Sequence, residues 1–196
     1  MPMDREGRVA YLKAHLKKGR FRHSLAVEEE ARRMAERFGL DAEKAARAGL
    51  IHDVAKNMPK EDQRAALLAD GFPIDPYYDA APALYHGPAG AYIARTELGE
   101  TDEEILDAIR YHTIPSLEPR PLAKVVFIAD VIEPGRDFPG VDALREAARR
   151  DLDGAFLLAL AMPMAYELER RHVVHPNSLT LYNRLLMAHG PRPEDE

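Results

Sequence analysis

The chain has 196 residues, 46% of them apolar, which suits one domain with a substantial core. Its 33 acidic and 27 basic side chains give a net charge of −6, and no basic run exceeds Lys17-Lys18, which argues against general nucleic-acid binding. With no cysteine, disulfides, thiolate nucleophiles and Cys-based zinc or iron–sulfur sites are excluded, so a metal would rest on His and carboxylate ligands.

The first 20 residues lack a signal-type apolar core, and no apolar stretch approaches the roughly 18–20 residues needed to cross a bilayer. A soluble cytoplasmic protein without membrane contact is the expectation. Apolar residues recur at spacings of three and four throughout, which predicts an all-α chain. Helices are expected near 4–17, 21–38 and 41–55, with Gly19 and Gly39 supplying the positive φ of helix ends and Asp41 capping the third. Pro59 and Gly71 bracket a short helix near 59–69. The stretch from Gly71 to Pro82, with three prolines and two tyrosines, reads as an irregular connection.

A helix from about Pro88 to Leu98 follows, and then one opened by a capping box of Thr101 and Glu104 and running to about His112. Thr113 to Pro121 is expected to be a loop. The next helix covers about 121–132 and stops before Pro134, because the residue preceding a proline avoids helical conformation. After a loop at 135–140, helices near 141–149, 151–171 and 176–189 complete a single bundle over 1–190, its core about 18–180. The tail 191–196 is expected to fray.

Some polar residues stand out against this pattern. Asp130 sits in Val125-Val126-Phe127-Ile128-Ala129-Asp130-Val131-Ile132, otherwise apolar on every face, so the helix should be largely buried. An unpartnered carboxylate there would cost several kcal/mol, so Asp130 must be neutral, salt-bridged, capping or metal-bound. His52-Asp53 repeats the theme within Ala48-Gly49-Leu50-Ile51-His52-Asp53-Val54-Ala55, and Lys56 is expected one turn further on the same helix. His23 lies in the second turn of its helix, His86 just before a helix and His112 at the end of another. Taken singly, a histidine such as His86 or His112 is more often a cap or a surface residue. Together they could converge in a bundle, and mixed N/O ligands suit iron, manganese, zinc or cobalt. His15, His172, His175 and His189 show no such context and are expected at the surface or at helix ends.

The ordered set His23, His52-Asp53 and Asp130 resembles the HD-domain metal phosphohydrolases, whose pattern is H…HD…D. Five further segments look like the YqeK family: Arg22-His23-Ser24, Gly49 to Lys56, His86-Gly87-Pro88, Ile109 to Thr113, and Ala129 to Arg136; His175-Pro176-Asn177 fits as well. The resemblance implies an all-α, single-domain HD-type bundle that cuts diadenosine tetraphosphate symmetrically into two ADP using iron, with manganese or cobalt as alternatives. It also implies a dinucleoside polyphosphate or nucleoside diphosphate as ligand. A homodimer is compatible with it.

On this reading His23, His52, Asp53 and Asp130 hold one metal ion. Asp53 could bridge to a second ion approached by His86 and His112, or those two histidines contact the phosphates instead. Asp53, Lys56, His86 and His112 are the expected catalytic residues, and Arg20, Lys56, His86, Gly87, His112 and Arg136 the expected substrate contacts. For Lys56, Arg136 and Arg20 the alternative is an ordinary solvated charge. Tyr77, Tyr78 and Tyr85 either stack on a base or pack into the core. Rival functions with the same chemistry are a nucleoside monophosphatase and a guanosine alarmone hydrolase; a rival of another class is a metal-containing sensor that binds ADP or GDP without turnover.

Overall fold

The structure, a computed structural model, describes residues 2–189. The expected frayed tail at 191–196 and the side chain of His189 lie outside the described residues. Among these the chain forms eleven α-helices and no strand. In order they are α1 (Arg5–His15), α2 (Lys18–Arg37), α3 (Ala42–Ile51), α4 (Lys60–Ala69), α5 (Pro76–Ala80), α6 (His86–Thr96), α7 (Glu103–Arg110), α8 (Pro121–Ile132), α9 (Val141–Ala147), α10 (Leu152–Glu169) and α11 (Pro176–His189), with a 3-10 turn at Pro82–Tyr85. No described helix is long and apolar enough to cross a membrane.

The apolar helix α8 runs through the middle and packs on α2, α3, α7 and α10. Val125, Val126, Ile128 and Ala129 are fully buried there, as all-round hydrophobicity requires. The α2–α3 pair is the tightest in the bundle. Gly49 makes it so, because a Cβ at that position would stand 2.9 Å from the Val27 carbonyl oxygen and 3.1 Å from Ala31 Cβ. A smaller apolar cluster of Ala55, Leu67, Tyr78, Tyr85, Ala89 and Ile114 fills the space under α4 and α6.

Several element ends differ from the sequence expectation, each for a local reason. Gly19 lies inside α2: α1 stops at an extended Leu16, and Asn57 Oδ1 accepts from Lys17 N at 2.8 Å, so α2 starts earlier than expected. Gly39 does adopt a positive φ of 67°, and Asp41 caps α3 by accepting from Lys44 N. α3 ends at Ile51 rather than near residue 55, and residues 52–57 continue as tight turns bonded three residues back, Val54 N to Ile51 O and Lys56 N to Asp53 O. The expected irregular stretch contains α5, opened by Asp75, whose Oδ1 accepts from the Tyr77 and Tyr78 amides ahead of a proline at the first helical position.

α6 begins at His86 instead of Pro88. Asp102, not Thr101, caps α7, because Glu100 Oε1 already accepts from the amides of Thr101 and Asp102, and Asp102 Oδ1 takes the Glu104 amide at 3.0 Å. α7 ends at Arg110, two residues short of His112.

Candidate metal centre

Asp53 lies at the centre of four histidines contributed by four separate parts of the bundle. His23 comes from the second turn of α2, His52 follows α3, His86 opens α6 and His112 lies just past α7. Three of the rings are aimed in one way. Nδ1 of His52 donates to the Gly49 carbonyl at 2.7 Å, Nδ1 of His86 to Ala83 at 2.6 Å, and Nδ1 of His112 to Ile109 at 2.7 Å, each three residues back. His23 uses a carboxylate instead: its Nδ1 donates to Glu133 Oε1 at 3.0 Å. With Nδ1 protonated and committed, all four Nε2 atoms present lone pairs to a common space, the arrangement that orients metal-binding imidazoles.

The two oxygens of Asp53 divide these rings. Oδ2 lies 3.3 Å from His52 Nε2 and 3.8 Å from His23 Nε2; Oδ1 lies 3.2 Å from His86 Nε2 and 3.6 Å from His112 Nε2. Asp130 adds its Oδ1 on the first side, 2.9 Å from His23 Nε2 and 3.8 Å from His52 Nε2. On the second side the His86 and His112 Nε2 atoms stand 3.1 Å apart, and Lys56 Nζ approaches His86 Nε2 at 3.1 Å. His52, Asp53, His86 and His112 are buried, whereas the Asp130 side chain stays 22% exposed and marks the mouth.

Electrostatics follow from this crowding. Burial pushes the Asp53 carboxyl up, but the surrounding imidazoles, His52 foremost and then His112 and His86, outweigh it and hold Asp53 well below the usual carboxylate range. Asp130 is likewise held low, burial being overcome by His23, His52 and Arg136. Burial, with His112 and Lys56 nearby, pushes His86 down to about 4 against the pull of Asp53, so its imidazole is neutral at pH 7. Lys56 is also lowered, mainly by burial.

A divalent cation fits this donor set. The Nε2 atoms of His23 and His52 are buried and make no hydrogen bond of acceptable geometry to any described group, although carboxylate oxygens lie within 4 Å of both. Orphaned imidazole nitrogens beside ionised carboxylates are costly in a core and are what a borderline metal binds. His23, His52 and Asp130 each offer one ligand atom within 4.8 Å of one another, as do His52, Asp53 and His112.

A family model described as "HD domain" matches residues 20–135, more than half of the chain and nearly all of the cluster. The chain belongs to the HD domain family. It is similar to a symmetrical bis(5'-nucleosyl)-tetraphosphatase of Bacillus subtilis, 40% identical over 94% of this chain and 98% of that one. A protein of the same description from Halalkalibacterium halodurans is 36% identical over 94% and 98% of the two chains. Among solved structures, an HD superfamily hydrolase of Clostridium acetobutylicum, described as involved in NAD metabolism, superposes with a TM-score of 0.92 at 34% identity, covering 96% of this chain and all of that one.

The remaining predicted site residues of this HD protein are placed as follows. Arg20 Nη1 contacts Asp53 Oδ2 at 2.6 Å. Arg136 holds Asp130 twice, Nη2 to Oδ1 at 2.6 Å and Nε to the backbone carbonyl at 2.9 Å. Lys56 reaches the centre from the turn after His52-Asp53, not from a continuing helix. Gly87 is buried, and a Cβ there would stand 2.9 Å from both the Arg110 carbonyl oxygen and Thr113 Oγ1; its absence lets α6 approach the end of α7 and brings His86 to His112. Tyr78 and Tyr85 are core residues, while Tyr77 is exposed and lies against His175. His15 and His172 are in exposed contacts, as expected. His175 is not at the surface: it is buried, donating through Nε2 to Asp75 Oδ2 at 2.9 Å while its Nδ1 accepts from Asn177 N, so it ties the start of α11 to α5.

One residue of the Ala129 to Arg136 segment was given no role in the sequence reading. Glu133 is buried at the end of α8, orients His23 through Oε1 and accepts from Gly135 N through Oε2 at 2.5 Å. The signal available was a lone acid directly after an apolar helix, three residues from Asp130, where an ordinary cap is the simpler expectation.

Proposed function

We propose that this chain is a metal-dependent hydrolase that cuts diadenosine tetraphosphate symmetrically into two ADP. The observation that carries the reading is the pair of carboxylate oxygens on Asp53, each faced by two Nδ1-anchored histidines, in a chain 40% identical over nearly its whole length to a protein named for that activity. His23, His52, Asp53 and Asp130 would hold one ion, and Asp53 with His86 and His112 a second. Iron is the proposed metal, with manganese or cobalt able to use the same ligands. Bound there, the metal supplies Lewis acidity toward a phosphoryl oxygen and lowers the pKa of water into the neutral range.

The protein's own groups do the rest. Asp53, Asp130 and Glu133 are offset by Arg20, Lys56 and Arg136, so the centre is near neutral without metal. One or two divalent ions would add about two to four positive charges, matched by the roughly four negative charges of a tetraphosphate chain. Arg20 and Arg136, at the mouth, offer guanidinium forks to non-bridging phosphate oxygens, and Lys56 offers a point charge deeper in. If the site holds a single ion and His86 is not a ligand, its imidazole, neutral at pH 7, offers the Nε2 lone pair to the proton lost by the attacking water. The leaving ADP carries negative charge well, so positioning and charge neutralisation suffice without a strong general acid.

The test is turnover of diadenosine tetraphosphate by protein reconstituted anaerobically with ferrous iron, and in parallel with manganese or cobalt. ADP as sole product, lost in Asp53→Ala, supports the reading. AMP plus ATP rejects the symmetrical cut. Binding of ADP without turnover under any metal favours the sensor.

A further inference from the structure

On the opposite side of α2 from His23 lies a cleft of about 270 Å³ bounded by Arg5, Arg8, Glu28, Arg32, Glu43 and Arg47, from α1, α2 and α3. Glu28 and Arg32 are five and nine residues beyond His23, so they project from α2 about 140° and 180° away from it. The cleft shares no residue with the Asp53 cluster.

Three of its four arginines are paired. Arg5 makes a two-point contact with Glu28 at 2.7 and 2.9 Å, Arg32 contacts Glu43, and Arg47 Nε faces Glu100 Oε2 at 3.5 Å. Arg8 differs. It is only 8% exposed, makes no side-chain hydrogen bond or ion pair with any described residue, and its buried Nε has no partner. Burial, and then Arg47 beside it, pull its pKa down against Glu100, Asp4 and Glu28, so the surroundings under-compensate its charge. A guanidinium cannot shed its proton to escape such a setting, so its buried Nε without a partner is an unfilled donor.

We propose that the α1–α2–α3 cleft is a second, non-catalytic site for a phosphate-type oxyanion, either inorganic phosphate or the terminal phosphate of a nucleotide, with Arg8 as its anchor and Arg47 beside it. An arginine fork matches two oxygens of such a group, and the cleft has room for a phosphate with part of its ester. Because α2 and α3 also position His23 and His52, an anion there bears on the same helix pair as the metal centre.

Equilibrium binding of inorganic phosphate and, separately, of ADP to the metal-loaded protein tests this, with Asp53→Ala run alongside to remove the metal-centre contribution. The cleft site should persist in Asp53→Ala. It should weaken by about tenfold or more in Arg8→Gln, the loss expected for a charge-assisted contact. Arg8→Lys should retain part of the affinity, and Arg47→Gln should weaken it independently of any folding defect at Arg8. Binding of both probes identifies a phosphate site; binding of ADP alone identifies a nucleotide site. Phosphate and ADP sites unchanged in number and affinity in folded Arg8→Gln and Arg47→Gln would overturn the proposal. So would a loss of thermal stability in Arg8→Gln that is the same with and without phosphate, which would assign Arg8 solely to neutralising Glu100.

Discussion

Replacing Glu133 by alanine removes the acceptor that fixes the His23 tautomer without touching a group that faces the metal. Two donors lose their partner: the half-buried His23 Nδ1–H, at 3.0 Å, and the Gly135 N–H on an exposed turn, at 2.5 Å. Hydrogen bonds to a carboxylate contribute about 1.5–3 kcal/mol each. Part of that loss falls on the fold, through the turn at Gly135, and part on the ring, which becomes free to rotate or change tautomer. Partners of this kind change metal affinity by about 10- to 100-fold, equivalent to about 1.4–2.7 kcal/mol. Glu133→Gln should fall between wild type and alanine, because its single carbonyl oxygen can serve only one of the two donors and its amide group opposes the other. Competition with a chromophoric chelator gives the affinity, and thermal unfolding checks that each variant is folded. A folded Glu133→Ala with wild-type metal affinity would refute the assignment of His23 as an oriented ligand.

Lys56→Met should lower kcat/KM by about 10- to 100-fold with unchanged metal content if Lys56 makes the proposed charge-assisted phosphate contact; steady-state kinetics beside metal analysis checks both. Gly49→Ala should destabilise the protein by about 1–3 kcal/mol and reduce turnover, since a Cβ meets the Val27 carbonyl at 2.9 Å and pushes α3, with His52, away from α2; denaturant unfolding measures the cost. His175→Ala should cost about 1–3 kcal/mol, as it unties α11 from α5. That substitution also changes acid stability. Burial pushes the Asp75 carboxyl up, but the amides of Tyr78 and Tyr77 and the His175 contact outweigh it, so the folded pKa is below the unfolded one. The stabilisation it brings is therefore present above the ordinary carboxylate pKa and lost as pH falls through the folded value. Unfolding curves from pH 7 downward should show a shallower acid loss in His175→Ala, and an unchanged curve would count against the linkage.

The all-α class was legible in the three-and-four spacing of apolar residues; Asp130 within Val125 to Ile132 and His52-Asp53 after Leu50-Ile51 stood out because they interrupt apolar runs, whereas His23, in a polar stretch, joined them only through the H…HD…D pattern. The ends of α3 and α7 were not, and for a shared reason. His52 and His112 each bond the carbonyl three residues back, and both helices stop just short of them, an event that hydrophobic spacing does not encode. Asp75-Pro76 carried a cap-and-proline signal for α5 that the surrounding prolines obscured. Glu133 and His175 act through partners 110 and 100 residues away in sequence, so only the packed fold reveals them.

Hydrolysis of diadenosine tetraphosphate in ¹⁸O-labelled water by the metal-loaded protein, with the products resolved and the labelled phosphorus located by ³¹P NMR, tests the symmetrical cut at the Asp53 centre most directly. Attack on one of the two inner phosphates predicts ADP alone, with one label for every two ADP and that label on a β-phosphate. Label on the phosphate of AMP, or on the terminal phosphate of ATP, would contradict it.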